Sequence, residues 1–495
     1  MTENLIKRAN EFIIENKHLV NQEFRQHYHM MPPIGWMNDP NGFSLYKEQY
    51  HLFYQHYPYK ESWNEIYWGH AVSKDFINWE DVDVALAPDK EYDKAGCFSG
   101  TALVEGDLIS LIYTCVHGKK GEEIQEQAMA YSTDGIHFEK FEENPVIKTE
   151  DLPDEIFPTD FRDPKIFKEG DQYYCMVMAK DKINGGRMLL YTSANKKNWS
   201  YVRDVLPFNP EFGIMLECPD YFILNGKAVL LMSVIDLKRQ GYRFTNKQSS
   251  IYMIGSYNNI DGFVQEVLEE ADMGFDFYAP QTVQTMDGRV VMTAWMQAWE
   301  ESLPTQDLGH GWVGSMILPR ELELKEDVIY QKPVREIEQY RADHMQYENV
   351  LVTNQQDCLT LNGLEGNSIE LYLEADLTNA DDFTIHLMKT KEEECILTYN
   401  KSLGTICFDR GKCGYEIISK GFEKEQFRKF ELPLLENVLK ARIFIDTCSI
   451  EIFLQDGMRT ITSCVYPKGK DYGIAFSAVG EAVLKTIKKW KIIKN

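Results

Sequence analysis

An all-β chain in two parts, a five-bladed β-propeller followed by a β-sandwich, is the architecture this sequence predicts. Three features carry the prediction: a hidden repeat of about sixty residues, a set of polar residues in phase with it, and a change to longer alternating strands after residue 350. The repeat is a strand-like run ending in Ser, then a polar turn, then an aromatic. Its copies are Ser73 to Trp79, Ser132 to Phe138, Ser193 to Trp199 and, more loosely, Ser256 to Phe263, at serine intervals of 59, 61 and 63. Between them lie short alternating runs such as Tyr50–Tyr54, Leu108–Thr114, Tyr173–Ala179 and Ala228–Val234. Several short strands per repeat describe a four-stranded blade, and some 300 residues at ~60 per blade give five.

The elements follow in order. Residues 1–28 form an N-terminal helical segment, because Leu5, Ala9, Phe12, Ile13 and Leu19 fit one apolar helix face. Its charges interrupt any signal-peptide core. Residues 29–335 are the propeller, with Gly311 to Leu324 closing the fifth blade. Residues 336–349, rich in charge, read as a linker. Residues 350–495 are the sandwich, from runs such as Ser368–Leu373, Phe383–Met388 and Ser449–Leu454.

Composition narrows the function. Aromatic residues make up 13%, which suits a β-rich fold with a stacking site, and the net charge is −25. So acidic a surface repels nucleic acid and anionic membrane, and neither is expected as a partner. No run approaches ~18 apolar residues, so no membrane span is expected. Ten scattered cysteines without a C-x-x-C pair read as reduced thiols, and a soluble, cytoplasmic protein is expected. Nothing calls for a cofactor or a metal. His27 and His29 share a strand face but lack a third ligand. Gly185-Gly186 reads as a loop, and Cys218 as a packing residue. The oligomeric state is left open.

The repeat also locates a site. Asp39, Ser99, Asp163 and Glu217 precede their serines by 34, 33, 30 and 39 residues, and Tyr278 falls 61 after Glu217. One phase in a propeller means one radius and one height. Placed at the start of the innermost strands, these residues ring the channel and bring three carboxylates together. Asp39 lies between Trp36 and Gly42, where two amides, a proline and a glycine predict a tight turn beside an exposed Trp36. Asp163 and Glu217 are each followed closely by proline, and Arg162 is a fixed cation beside them. Such a set suits glycoside hydrolysis: one ionised carboxylate attacks the anomeric carbon, and one protonated carboxyl serves the leaving oxygen. A third acid nearby raises the proton affinity of the second.

Taken in order, Trp36–Gly42, Phe53–Gln55, Trp68–His70, Phe98–Gly100, Arg162–Pro164, Glu217–Pro219 and Phe277–Pro280 resemble glycoside hydrolase family 32. That family comprises the invertases, fructan hydrolases and sucrose-6-phosphate hydrolases. The resemblance runs from about His29 to the C-terminus, where Ser449–Phe453 with Asp456-Gly457 is similar to the family's β-sandwich module. It implies that Asp39 is the nucleophile, Glu217 the acid/base and Asp163 the transition-state stabiliser. It further implies that Asn38, Gln55, Trp63, Phe98, Ser99, Arg162, Tyr278 and Trp295 contact the fructosyl unit. Two residues depart from the pattern: Tyr57, where many members carry Asn, and Thr101, where Ser is common. Both are expected at the pocket rim, where they bear on the leaving group. The reaction implied is retaining β-fructofuranoside hydrolysis of sucrose or sucrose 6-phosphate. Fructan exo-hydrolysis or fructosyl transfer, and a non-catalytic sugar-binding propeller, are the alternatives. No basic cluster for a phosphate can be placed from the sequence.

Overall fold

The computed structural model describes residues 4–494 except 184, 207, 208, 210, 300, 356, 357, 421–424, 470 and 471. The N-terminal helix spans Leu5–Asn16, and Asn4 caps it by accepting the Lys7 amide at 3.1 Å. Leu19 falls beyond it in a short 3₁₀ turn, 67% exposed, so it is not part of the helix face.

Five sheets of antiparallel strands follow, and they are the five blades of a propeller. Their first strands are Gly35–Tyr46, Gly96–Glu105, Ile156–Glu169, Met215–Leu224 and Tyr278–Gln284. Each packs against the next, and the fifth packs against the first, so these strands line a closed ring. Trp312–Val313 returns to run parallel beside Gly35–Trp36 in blade 1. Arg320–Lys325 and Val328–Pro333 complete blade 5. The stretch expected only to close the fifth blade is thus shared between the fifth and the first.

The repeat has a local cause. Ser73 Oγ donates to Asp75 Oδ1, which also accepts the amides of Ile77 and Asn78 at 3.0 and 2.8 Å. Ser132 with Asp134, and Ser193 with Asn195, form the same turn. In the looser copy Asn258 takes over, accepting from Ile260 and Asp261. Gly185 opens the strand Gly185–Ser193 and is not in a loop, because Gly186 must lie flat against Leu216, whose backbone N would be 2.6 Å from any Cβ.

Beyond the propeller, the segment 336–349 expected as a linker is a 3₁₀ turn, Arg335–Tyr340, and then the start of strand Arg341–Thr353. Among the described residues a ten-stranded sheet makes up most of the rest, and Ile418–Ser419 pairs instead with Glu301–Ser302. The sheet's two long strands, Ile369–Lys389 and Gly473–Ile492, pair along their length, with register breaks near Asp376 to Asp382. Before the breaks the first pairs with Val438–Asp446, and after them with Glu394–Asn400. Leu371, Leu373, Ile443 and Ile452 from one half and Phe383, Ile385, Leu397 and Phe408 from the other share a single buried core, so the sheet folds on itself as a sandwich.

Candidate active site

All five inner strands carry the same irregularity near the start. Between Met37 and Pro40, Cys97 and Gly100, Arg162 and Lys165, Glu217 and Asp220, and Tyr278 and Gln281, the first strand advances three residues while its partner advances two. Each is a one-residue bulge, which re-aims the side chains on it. The Trp36–Gly42 stretch is therefore a bulged strand and not a tight turn: pairing with Tyr50–Tyr57 overrides its local turn preference. Trp36 is buried, not exposed.

In blades 3, 4 and 5 the second bulge residue, Asp163, Cys218 or Ala279, has positive φ (63°, 50° and 52°) and is followed by proline. Such backbone is costly for residues with a Cβ, and persists where neighbours hold it. Here each amide is bonded to a side chain of the preceding blade. Thr114 Oγ1 accepts from Asp163 N, Asp163 Oδ2 from Cys218 N, and Ser233 Oγ from Ala279 N, all at 2.9 Å. Asp163 thus fills in blade 4 the place that hydroxyls fill in its neighbours.

The first bulge residues of blades 3, 4 and 5 meet. Arg162 donates to Glu217 Oε1 from Nε at 3.0 Å and from Nη2 at 2.8 Å, and Tyr278 Oη donates to Glu217 Oε2. Blades 1 and 2 converge on Asp39. Trp36 Nε1 donates to Asn38 Oδ1 (2.6 Å), Asn38 Nδ2 to Gln55 Oε1 (2.7 Å), Gln55 Nε2 to Ser99 Oγ (2.5 Å), and Ser99 Oγ to Asp39 Oδ2 (2.7 Å). Every donor in this chain points toward Asp39, so the carboxylate is fixed through Oδ2. Its Oδ1 is buried without a hydrogen-bond partner among the described residues. Cys218 Sγ sits between the two aspartates, 3.5 Å from Asp39 Oδ2 and 3.6 Å from Asp163 Oδ2.

Charge follows from this geometry. Burial pushes the Asp163 carboxyl up to about 7; Arg162 opposes the rise, while Glu217 and Asp39 add to it. Burial also raises Asp39, against the Ser99 hydrogen bond. Burial, with Asp163 and Asp39 beside it, holds the Cys218 thiol well above its usual range, so it is no nucleophile.

The remaining expected contacts lie around this set. Phe98 meets Trp63 edge-on at 5.4 Å, and Trp63 is 43% exposed, facing a cavity of about 540 Å³. Trp295 is fully buried against Trp36 and Trp299, with Nε1 unpartnered. Tyr57 is half-buried and accepts from Asn64 Nδ2. Thr101 is not at the rim: it is 4% exposed, and its hydroxyl ties the Pro164 carbonyl and the Ile166 amide. Strand alternation turns it into the joint between blades 2 and 3. Sequence reasoning missed Trp299, which lies 6.0 Å from Trp36 at 26°; its place four residues after Trp295 was the only signal. It also missed Gln125, whose Oε1 accepts from Arg162 Nη1 at 3.3 Å.

Comparison with known proteins agrees with the motif order. Residues 29–333 match the glycosyl hydrolases family 32 N-terminal domain, and residues 336–491 match the family 32 C-terminal domain. A sucrose-6-phosphate hydrolase of Zymomonas mobilis is 35% identical, covering 99% of this chain and 96% of its own. One from Escherichia coli is 34% identical, covering 99% and 100%. The solved β-fructofuranosidase of Bombyx mori superposes with a TM-score of 0.86 at 31% identity, over 100% of this chain and 99% of its own. A bulged ring that gathers three carboxylates, followed by a sandwich and matched over nearly the whole length, places this chain in glycoside hydrolase family 32.

Proposed function

We propose that this chain is a retaining β-fructofuranosidase that hydrolyses sucrose 6-phosphate, and sucrose less well, through a covalent fructosyl-enzyme intermediate. One observation carries the reading: a rigidly held buried carboxylate, Asp39, keeps one oxygen without a partner. That oxygen attacks the anomeric carbon of the fructosyl unit. Glu217 gives a proton to the departing glucosyl oxygen, then takes one from the water that cleaves the ester. Arg162 and Tyr278 hold Glu217 by its two oxygens from either side. Asp163, 2.9 Å from the Cys218 amide, is left to meet the sugar hydroxyls as positive charge builds on the ring. Phe98 and the exposed Trp63 supply aromatic walls for the sugar, and Trp36 and Trp295 pack behind the site. The phosphorylated substrate is favoured by the two sucrose-6-phosphate hydrolases that match this chain over its length.

The test is fructose release from sucrose and sucrose 6-phosphate, with NMR of the first-formed product. Retention delivers β-fructofuranose before mutarotation sets in. An α product, or no fructose from either sugar, overturns the reading.

A further inference from the structure

A second cavity, of about 820 Å³, opens where blades 4 and 5 meet the sandwich. Trp299 lines it, and the same indole lies 6.0 Å from Trp36 and 5.1 Å from Trp295. Arg428, 3% exposed on the sandwich strand Phe427–Glu431, also lines it.

Among the described residues the other two fully buried arginines have counter-ions: Arg320 has Asp272 and Glu451, and Arg410 has Asp276. Arg428 differs, because its hydrogen bonds end on neutral oxygens. Nε and Nη2 donate to Asn246 Oδ1, and Nη1 donates to the carbonyls of Glu425 and Phe427 at 3.1 and 2.8 Å. Among the described residues no carboxylate comes within ion-pair distance of it. Arg410 and Arg428 both lie against the Phe275 ring, at 3.9 and 4.0 Å. Burial, reinforced by Arg410, pulls the Arg428 guanidinium down to about 9. Asp276, Glu301 and Glu425 oppose the fall from a distance, but with no carboxylate in contact the buried cation stays under-compensated. The cavity is the open route by which an anion can reach it.

The rest of the lining says what kind of anion. Arg239, paired with Glu425 at 3.3 Å, adds positive charge, while Asp236 adds an acceptor for hydroxyl groups. A guanidinium suits a phosphate and carboxylates suit hydroxyls, so the combination fits a sugar phosphate better than a bare anion. The volume lies in the range of small-molecule sites.

We propose that this cavity receives the leaving glucosyl unit and that Arg428 binds its 6-phosphate. The sandwich then supplies the residue that separates sucrose 6-phosphate from sucrose. The proposal rests on the β-fructofuranosidase reading above, and its test keeps the two apart. The measurement is the ratio of kcat/KM for sucrose 6-phosphate to that for sucrose, in the wild type, Arg428→Met, Arg428→Lys and the half-exposed rim variant Arg239→Gln. The ratio should fall at least tenfold in Arg428→Met, less in Arg428→Lys, and two- to fivefold in Arg239→Gln. Glucose 6-phosphate should inhibit the wild type at least tenfold more tightly than glucose. That comparison, with Arg239→Gln, decides the matter if Arg428→Met does not fold. An unchanged ratio in the variants, or equal inhibition by the two products, overturns the site while fructose release continues. A wild type that releases fructose from neither sugar overturns the reading beneath it.

Discussion

Asp163→Asn should stabilise the protein while it damages catalysis, and the stabilisation should depend on pH. The Asp163 carboxyl holds its proton up to about 7 in the folded protein, against an ordinary value of 3.8. Between those values the native state binds a proton that the unfolded chain has released. Stability from this group is therefore fully present below about pH 3.8 and is lost as pH rises through about 7. Three pKa units correspond to about 4 kcal/mol. The charges of Glu217 and Asp39 add to the rise at Asp163, so a range of about 2–4 kcal/mol is the working figure. Asparagine is neutral throughout, keeps an oxygen for the Cys218 amide, and tolerates the positive φ of 63° at this position. At about 2 °C per kcal/mol, expected for a domain of this size, the variant should melt about 4–8 °C higher at pH 8. At pH 4 the two proteins should melt together. Calorimetry at both pH values, with fructose release measured in parallel, is the assay. Equal shifts at the two pH values, or a variant less stable at pH 8, would refute the charge argument. Full activity in the variant would remove Asp163 from the catalytic set.

Other outcomes follow from the same geometry. Asp39→Asn should lower turnover by about four orders of magnitude with the fold intact, since an amide cannot form the glycosyl ester; residual activity within tenfold of wild type would exclude Asp39 as nucleophile. Glu217→Gln should slow sucrose far more than a β-fructofuranosyl fluoride, whose leaving group needs no proton; equal losses would exclude Glu217 as the general acid. The kcat/KM profile should be bell-shaped on the acid side of neutrality. Its acid limb should lie above 3.8, because burial raises Asp39, and its basic limb should fall once the general acid is ionised. A profile flat from pH 4 to 8 would count against carboxylate catalysis.

The sequence repeat found the right strands and was blind to their bulges. Asp39, Asp163 and Glu217 keep roughly one phase, yet they hold the third, second and first places of their bulges. A side-chain period of two cannot predict where an extra residue is inserted. A proline closely following the acid signalled something at Asp163 and Glu217, and positive φ one residue before the proline is the physical content of that signal. Thr101 was misplaced because a strand residue's face depends on the register of the neighbouring blade. Thr114 and Ser233 were invisible because their partners lie 49 and 46 residues away in the next blade. His27 and His29 were read only against a metal, since their carboxylates come from the far end of the chain.

Those carboxylates bear on whether the propeller can stand without the sandwich. His29 donates from Nδ1 to Asp446 at 2.8 Å and from Nε2 to Glu451 at 2.9 Å, which only the imidazolium can do. Glu451 also accepts from Arg320 Nη2 at 2.7 Å and from the Leu318 amide at 2.8 Å, and all these side chains are buried. One sandwich carboxylate thus neutralises two propeller cations. Glu451→Gln leaves both under-compensated and should cost about 3–5 kcal/mol. A general packing defect would cost the same at every pH, and this one should not. Burial alone would lower His29, but Asp446 and Glu451 raise it to about 9 from 6.5. Its contribution, about 3 kcal/mol, is therefore fully present below pH 6.5 and is lost as pH rises through about 9. The wild type should lose melting temperature across that window, and Glu451→Gln should lose less. A chain ending at Tyr340 removes Asp446 and Glu451 together and should be poorly soluble. If Glu451→Gln melts like the wild type at pH 6, or if the shortened chain is stable, the sandwich is not the electrostatic partner of the propeller.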